Sequence, residues 1–371
     1  MGKKIIMSVV SDLVTDQRVH RSASTLQAIG YEVLLVGRQK KDSLPMDPRP
    51  YNVKRFKLPF EKGFLFYASY NIRLFIFLLF NKADILHAND LDTLLPNVLI
   101  AQWRKIPLVY DSHEYFTGVP EIQERPLVKS TWEKVEKYCI PHVSSMYTVN
   151  KSIADLYTAQ YKIPVGIVRN IPPFVPVPPT NRTAMGLPTD KFIIIIQGSG
   201  INRDRGAEEA VAAMQWVEGA LLLIVGSGDV LGELKELVIN QRLTEKVYFV
   251  GKVPYAELKK YTACSDLGLA VDKNTNINYQ FSLPNKLFDY INAQVPILAS
   301  RLTEIERIIK ENHIGTFIES HDPQHIASKI NEIIQDKSTY LTWKQNLQQI
   351  EGKYTWEKEQ EEVLKQYGKL T

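Results

Sequence analysis

The sequence has few of the residues that would cross-link it or bind a metal. Two cysteines, Cys139 and Cys264, lie far apart in 371 residues, which excludes a disulfide framework and a cysteine-based zinc site and suits a reducing cytosol. Long apolar runs are scarce as well. The strongest, residues 64–80 (FLFYASYNIRLFIFLLF), is broken by Asn71 and Arg73 and is shorter than the roughly 20 apolar residues of a spanning helix. No transmembrane helix is therefore expected, and the start, MGKKIIMSVV, reads as a first strand and not as a cleavable leader. No large excess of one charge exists: the formal net charge is +4, too small for a dedicated nucleic-acid binder, so no nucleic-acid partner is expected. Residues 1–170 nevertheless hold 23 basic against 16 acidic side chains, and residues 171–371 hold 22 against 25. The resulting +7 and −3 suit a front half near an anionic lipid surface as well as they suit ordinary solvated faces.

What is present is a folded composition, 44% hydrophobic and 23% charged, on a chain longer than the roughly 250–300 residues one core usually supports. Two domains are expected. Through residue 170, short β-branched runs (IIMSVV, EVLLVG, VKRFKL, ADILHA, PLVYDS, MYTVN, VGIVRN) alternate with helix-length segments at 17–29, 64–81, 92–104, 127–140 and 151–161. Residues 171–189 then carry six prolines, which bar a helix interior or a central strand and indicate an extended, semi-rigid connector. The rhythm restarts with FIIIIQG, ALLLIVG, KVYFVG, DLGLAV, PILAS and IGTFI between helical stretches. Near-continuous apolar strands separated by helices require parallel sheets covered on both faces. The fold class is α/β: two doubly wound Rossmann-like domains, 1–170 and 171–350, facing each other across a cleft. Residues 351–371, helical by pattern, are expected to cross back to the first domain.

In such sheets ligands bind beyond the carboxyl ends of the strands. No GxGxxG follows the first strand, so a dinucleotide dehydrogenase is not expected. In FIIIIQGSGINRDRG, Gly198 and Gly200 end a strand, and Arg203 and Arg205 precede a helix whose N-terminus favours an anion: either a diphosphate cradle or solvated loop arginines. In VGSGD, Gly226 and Gly228 allow close backbone approach, or form a tight turn with Asp229 as helix cap. SLPNKLFDYINAQVPIL sets Lys286 near a helix N-terminus and Asp289 one turn on, suited to a phosphate and a ribose, or to each other as a surface pair. In YDSHEYF, His113 and Glu114 follow a strand. Asp16 and Arg18 in DQRVHR occupy the first strand–helix junction, where a capping role is equally open, and His87 and Asp90 belong to the HANDLD loop. Asp90-Leu91-Asp92 spells a DxD, but two carboxylates at a helix start more often cap it.

These segments together resemble glycosyltransferase family 4, retaining enzymes of the GT-B fold, over most of the chain. The resemblance implies that Asp289 takes the donor ribose, Arg205 and Lys286 take the diphosphate, and Val250 and Gly251 offer backbone to the base. His113 then lies near the transferred sugar, and Asp16, Arg18, His87, Asp90 and Glu114 face the acceptor. Two departures stand out. The family's first glutamate falls on Phe281, which hands the sugar contact to Asn276, Asn278, Tyr279 or Ser282, and its strand-end arginine falls on Ser199, with Arg203 as substitute. The implied partners are a nucleotide-diphosphate sugar and a glycan or lipid-linked acceptor of bacterial envelope polysaccharide synthesis. No cofactor and no metal are expected, because the basic side chains can stabilise the leaving diphosphate. A location in the cytoplasm follows, with peripheral contact to the anionic inner membrane face. A non-catalytic binding protein of the same fold and a sugar-nucleotide epimerase remain open.

Overall fold

The computed structural model describes residues 2–177 and 179–370; Met1, Thr371 and the connector's Pro178 lie outside the described residues, as do the side chains of Pro120 and Glu121. The chain forms two compact units, one from Met1–Asn170 with Trp356–Thr371, the other from Ile171–Thr355.

In the first unit, strands β1 (Lys4–Asp12), β2 (Glu32–Gln39), β3 (Asn52–Lys57), β4 (Ile85–Asn89), β5 (Leu108–Ser112), β6 (Ser145–Thr148) and β7 (Val165–Ile167) form one parallel sheet in the order β3-β2-β1-β4-β5-β6-β7. Helices α1 (Gln17–Ala28), α2 (Gly63–Phe80), α3 (Leu94–Arg104), α4 (Pro120–Gln123), α5 (Pro126–Cys139) and α6 (Lys151–Tyr161) lie between them. The order reverses between β1 and β4, which defines the ligand-binding edge.

Helix α2 is buried along one face only. It makes the crossover between β3 and β4, strands of one sheet, so it lies along that sheet and buries Phe66, Tyr70, Leu74 and Leu78 at a four-residue spacing. Tyr70 donates its hydroxyl to the Val9 carbonyl at 2.6 Å. The opposite face leaves Phe64, Leu65, Ile72, Ile76 and Phe80 exposed. By length and composition this helix is apolar enough to cross a membrane, and its sheet-facing stripe is what makes it a surface helix here.

In the second unit, β8 (Phe192–Gly198), β9 (Ala220–Gly226), β10 (Val247–Gly251), β11 (Leu267–Ala270), β12 (Ile297–Ser300) and β13 (Gly315–Ile318) form a parallel sheet in the order β10-β9-β8-β11-β12-β13. The helices are α7 (Ala207–Ala213), α8 (Leu231–Asn240), α9 (Tyr255–Ala263), α10 (Ile277–Gln280), α11 (Asn285–Asn292), α12 (Thr303–Asn312), α13 (Pro323–Gln335) and α14 (Lys337–Gln349). The isoleucine run of β8 explains why both faces are covered. Ile194 and Ile196 enter a core with Val211, Leu234 and Ile330, whereas Ile193 and Ile195 enter the opposite one with Leu287, Ile291 and Ile305. Each buried isoleucine contributes about 1.5–3 kcal/mol.

The proline-rich stretch is part of this unit and not a free tether. Ile171 and Leu187 are buried in its core, and Arg182 pairs with Asp266 at 2.5 Å while donating to the carbonyls of Cys264 and Lys191. Beyond α14 the chain returns to the first unit as α15 (Trp356–Gly368). Trp356 Nε1 donates to Thr25 Oγ1 at 3.1 Å, and Ser145 Oγ donates to Gln366 Oε1 at 2.6 Å.

Candidate functional site

In the first unit, chemistry gathers at the carboxyl ends of β1, β4 and β5. His113, one residue past β5, lies between two carboxylates: Nδ1 is 3.1 Å from Asp90 Oδ2, and Nε2 is 3.3 Å from Asp111 Oδ2. Its backbone N–H donates to Asp90 Oδ1 at 2.8 Å. Burial alone would discharge this ring, but Asp90 and Asp111 overcome it and raise its pKa well above the usual histidine value. The protonated ring is thus favoured, and 18% of the side chain is exposed. Asp90 holds a left-handed backbone (φ +60°) to make this contact and gives the following turn no side-chain cap. Asp92, the other carboxylate of the DxD, is buried. Burial and then the neighbouring Asp90 raise its pKa well above normal, which favours the neutral acid. Among the described residues no group of three His, Cys, Asp or Glu side chains is arranged to hold a metal ion. Glu114 is exposed beside His113.

Three expected acceptor-side residues have other work. Arg18 is buried and forks onto Asp111, with Nε to Oδ2 at 3.0 Å and Nη2 to Oδ1 at 2.6 Å, while Nη1 donates to the Val168 carbonyl. It holds the carboxylate that charges His113 and does not face solvent. Asp16 caps α1: Oδ1 accepts from Val19 N at 3.1 Å and Oδ2 from Ser11 Oγ at 2.5 Å. His87 does not line a loop. It is in register with Met7 in the middle of the sheet, fully buried, with Nδ1 2.6 Å from Tyr367 Oη of α15. A single histidine in a strand carries no sequence signal separating these placements, because its partner is 280 residues away.

In the second unit the order reverses between β8 and β11, and the loops after these strands carry the cations. Lys286, at the second position of α11, lies 3.1 Å from Asp272 Oδ2, and Arg205 Nη1 lies 3.4 Å from Asp272 Oδ1. Asp272, two residues past β11, is wholly buried and ties both cations to one place; the sequence reading missed it. The Arg205 guanidinium also stacks on Tyr279, 4.2 Å from the ring centre. Lys286 and Asp289 share a helix face but do not pair with each other. Asp289 accepts from Tyr255 Oη at 2.7 Å and from Gln197 Nε2 at 3.0 Å, and Gln197 Oε1 accepts from Thr262 Oγ1 at 2.6 Å. Burial raises the Asp289 pKa, with these donors and Lys259 opposing it.

The glycines hold this edge together. A Cβ on Gly226 (φ +139°) would fall 1.8 Å from the Gly198 carbonyl oxygen, and one on Gly228 would fall 1.9 Å from that of Ile201. The two strand-end loops therefore lie backbone to backbone, with Ser227 N donating to Gly198 O and Ile201 N to Ser227 O, both at 3.0 Å. A Cβ on Gly206 (φ +74°) would fall 2.2 Å from the Val271 carbonyl oxygen. A Cβ on Gly198 (φ +144°) or Gly200 would meet only ordinary contacts, 3.8 Å from Gly200 N and 3.9 Å from Asn202 Nδ2. Asp229 does not cap α8; it accepts from Arg203 N at 3.2 Å. Arg203 itself is 72% exposed and reaches Glu233 at 3.2 Å, apart from the two cations on Asp272. Asn276 is spent capping α10, Asn278 lies within that helix, and Ser282 Oγ is buried without a hydrogen-bond partner. Val250 and Gly251 (φ +81°) end β10.

Two doubly wound units, each with charged side chains at its reversal point, define a two-Rossmann architecture, and the comparisons with known proteins agree. Residues 16–177 match the model for Glycosyltransferase Family 4, and residues 179–350 match that for Glycosyl transferases group 1. The two matches together run through most of the chain and support a glycosyltransferase. It is 29% identical over 163 residues to the probable glycosyltransferase WbjE of Pseudomonas aeruginosa, which is 43% of this chain and 40% of that protein. The chain thus spans less than half the length of this curated relative. Sucrose-phosphate synthase from Thermosynechococcus elongatus superimposes with a TM-score of 0.76 at 18% identity, and Anabaena HepE in complex with UDP with 0.73 at 14%, each over 99% of both chains. At these identities the likeness shows the GT-B fold.

Proposed function

We propose that the protein transfers a sugar from a nucleotide-diphosphate sugar, bound by the second unit, to a glycan or lipid-linked acceptor bound by the first. The observation that carries this reading is Asp272: a fully buried carboxylate holding Arg205 and Lys286 together at the point where the second sheet reverses. Two tethered cations are prepared for a diphosphate before it arrives, so their orientation costs little at binding, and the charge developing on the leaving group meets fixed partners. Asp289, one turn beyond Lys286, accepts two hydroxyls of the ribose in place of Tyr255. The backbone at Val250 and Gly251 receives the base. Ser282 Oγ, with Asn278, takes the sugar contact that Phe281 cannot make. His113, held between Asp90 and Asp111, keeps the turn beside the acceptor in place; Glu114 and Asp90 line the acceptor side.

Transfer is read as retaining, with no protein nucleophile: attack comes on the face from which the diphosphate departs, and the donor phosphate takes the acceptor proton. Arg205 and Lys286 supply the charge that a metal supplies elsewhere, so turnover is expected to survive EDTA. Cytoplasmic work on envelope polysaccharide at the inner membrane face fits the +7 charge of residues 1–170.

A thermal-shift panel of UDP, GDP, ADP, TDP and CMP with EDTA tests this. A ligand at 100 times its Kd adds about 2.7 kcal/mol. A shift with one diphosphate names the donor class, and product analysis with its sugar conjugate separates transfer from epimerisation. No shift at millimolar concentration favours a non-catalytic binding protein, the reading that Phe281 and Ser199 support.

A further inference from the structure

A strongly apolar concave surface lies in the first unit and is used by none of the residues assigned so far. A groove of about 450 Å³ runs between α2, the turn after β4 and α5, with Phe64, Tyr67, Leu91, Leu127, Trp132 and Val135 among its walls. Its volume falls within the roughly 300–1,000 Å³ range of small-molecule sites. The side chains at its mouth face solvent: Phe64 is 79% exposed and Leu127 86%. Tyr67 and Trp132 meet edge to face, 5.3 Å between ring centres, and give it a rigid aromatic floor.

Position and charge indicate what fills it. Leu91 is the residue directly after Asp90, so one wall of the groove is the turn that holds His113. Asn71, also in the wall, donates from Nδ2 to the Asp92 carbonyl at 2.9 Å and fixes α2 to that turn. The groove therefore begins where the polar cluster of Asp90, His113 and Glu114 ends, at the carboxyl edge of the sheet. Arg125 lines the mouth, and Lys62 directly precedes α2. An occupant whose head offers hydroxyls to Asp90 and Glu114 and an anionic group to Arg125 and Lys62, followed by an apolar tail, matches this sequence of surfaces.

We propose that the groove receives a single hydrocarbon chain of an amphiphilic acceptor, with its head group at Asp90 and His113. This rests on the acceptor-side reading of the first unit but needs no nucleotide and no turnover. Trp132 supplies the probe. Monoalkyl phosphates of 8 to 14 carbons carrying a terminal bromine, kept below their micelle concentration, are expected to quench its fluorescence, and Trp132→Phe should abolish the effect. Affinity should rise about fourfold per methylene and level off once the groove is full. Val128→Glu and Thr131→Phe alter exposed or partly exposed positions of α5 that line the groove, and each should weaken the 12-carbon ligand at least tenfold without changing nucleoside diphosphate binding. Equal quenching in these variants overturns the proposal. So does quenching that appears only with lipid vesicles, which would make the exposed face of α2 a bilayer contact instead. A protein that binds chains but no nucleotide keeps the groove and loses the transferase; one that binds nucleotide but no chain does the reverse.

Discussion

Acid should loosen the first unit through His87. The ring is fully buried in β4, and burial lowers its pKa from 6.5 to about 4, with the cations of His113 and Arg18 adding to the effect and Asp111 opposing it. A histidine whose folded pKa is depressed takes up its proton in the unfolded chain first. Between pH 6.5 and 4 the unfolded state binds more protons, so stability falls as pH falls. Integrating from pH 7.5 to 4.5 with these two values gives a loss of about 2.5 kcal/mol from this group. The ring also anchors α15 through Tyr367, so the loss should appear as release of the C-terminal helix. Urea unfolding at pH 7.5 and 4.5, followed by tyrosine and tryptophan signals, measures it for the native protein and for His87→Asn. His113 acts in the opposite sense: its raised pKa contributes stability that is complete below pH 6.5 and is lost as pH rises through the folded value. That contribution is common to both proteins and cancels in the difference. The variant, whatever its stability at pH 7.5, should lose about 2.5 kcal/mol less on acidification. An identical loss in both would show that His87 does not titrate as its burial requires.

The strand-end loops offer a sharper steric test: Gly226→Ala, whose Cβ meets the Gly198 carbonyl, should cost about 3 kcal/mol or more, whereas Gly219→Ala, at φ +67° with open space around it, should cost about 1–2 kcal/mol, both read by urea denaturation. Arg205→Ala and Lys286→Ala should remain folded and bind nucleoside diphosphate about 10- to 150-fold more weakly by calorimetry, the range for one charged hydrogen bond. Asp272→Asn should lose about 3 kcal/mol of stability in thermal unfolding, at the low end for a broken buried pair because Arg205 is partly exposed. A variant as stable as the native protein would show that the two cations do not depend on it.

Element type was legible wherever the pattern was long. FIIIIQG and ALLLIVG are strands because their apolar runs need burial on both faces, and SLPNKLFDY contains the helix start its proline and spacing indicate. The site was legible only in part. Lys286, Asp289 and Arg205 carry motif signals, but Asp272 sits in a loop of ordinary composition and acquires its role from neighbours 14 and 67 residues away. Apolar content alone did not decide how residues 64–80 lie, because it does not report which face of a helix the sheet will meet.

Local pattern therefore determined the alternating strands and helices, the two-domain division and the strand-end loops, since these follow from periodicity, proline and glycine within a few residues. Tertiary structure alone decided that His87 anchors a C-terminal helix, that Arg18 and Asp111 hold His113 charged, and that Asp272 gathers the two cations. Each depends on a pairing between distant segments, and whether a charge is buried, paired or solvated exists only once those segments meet.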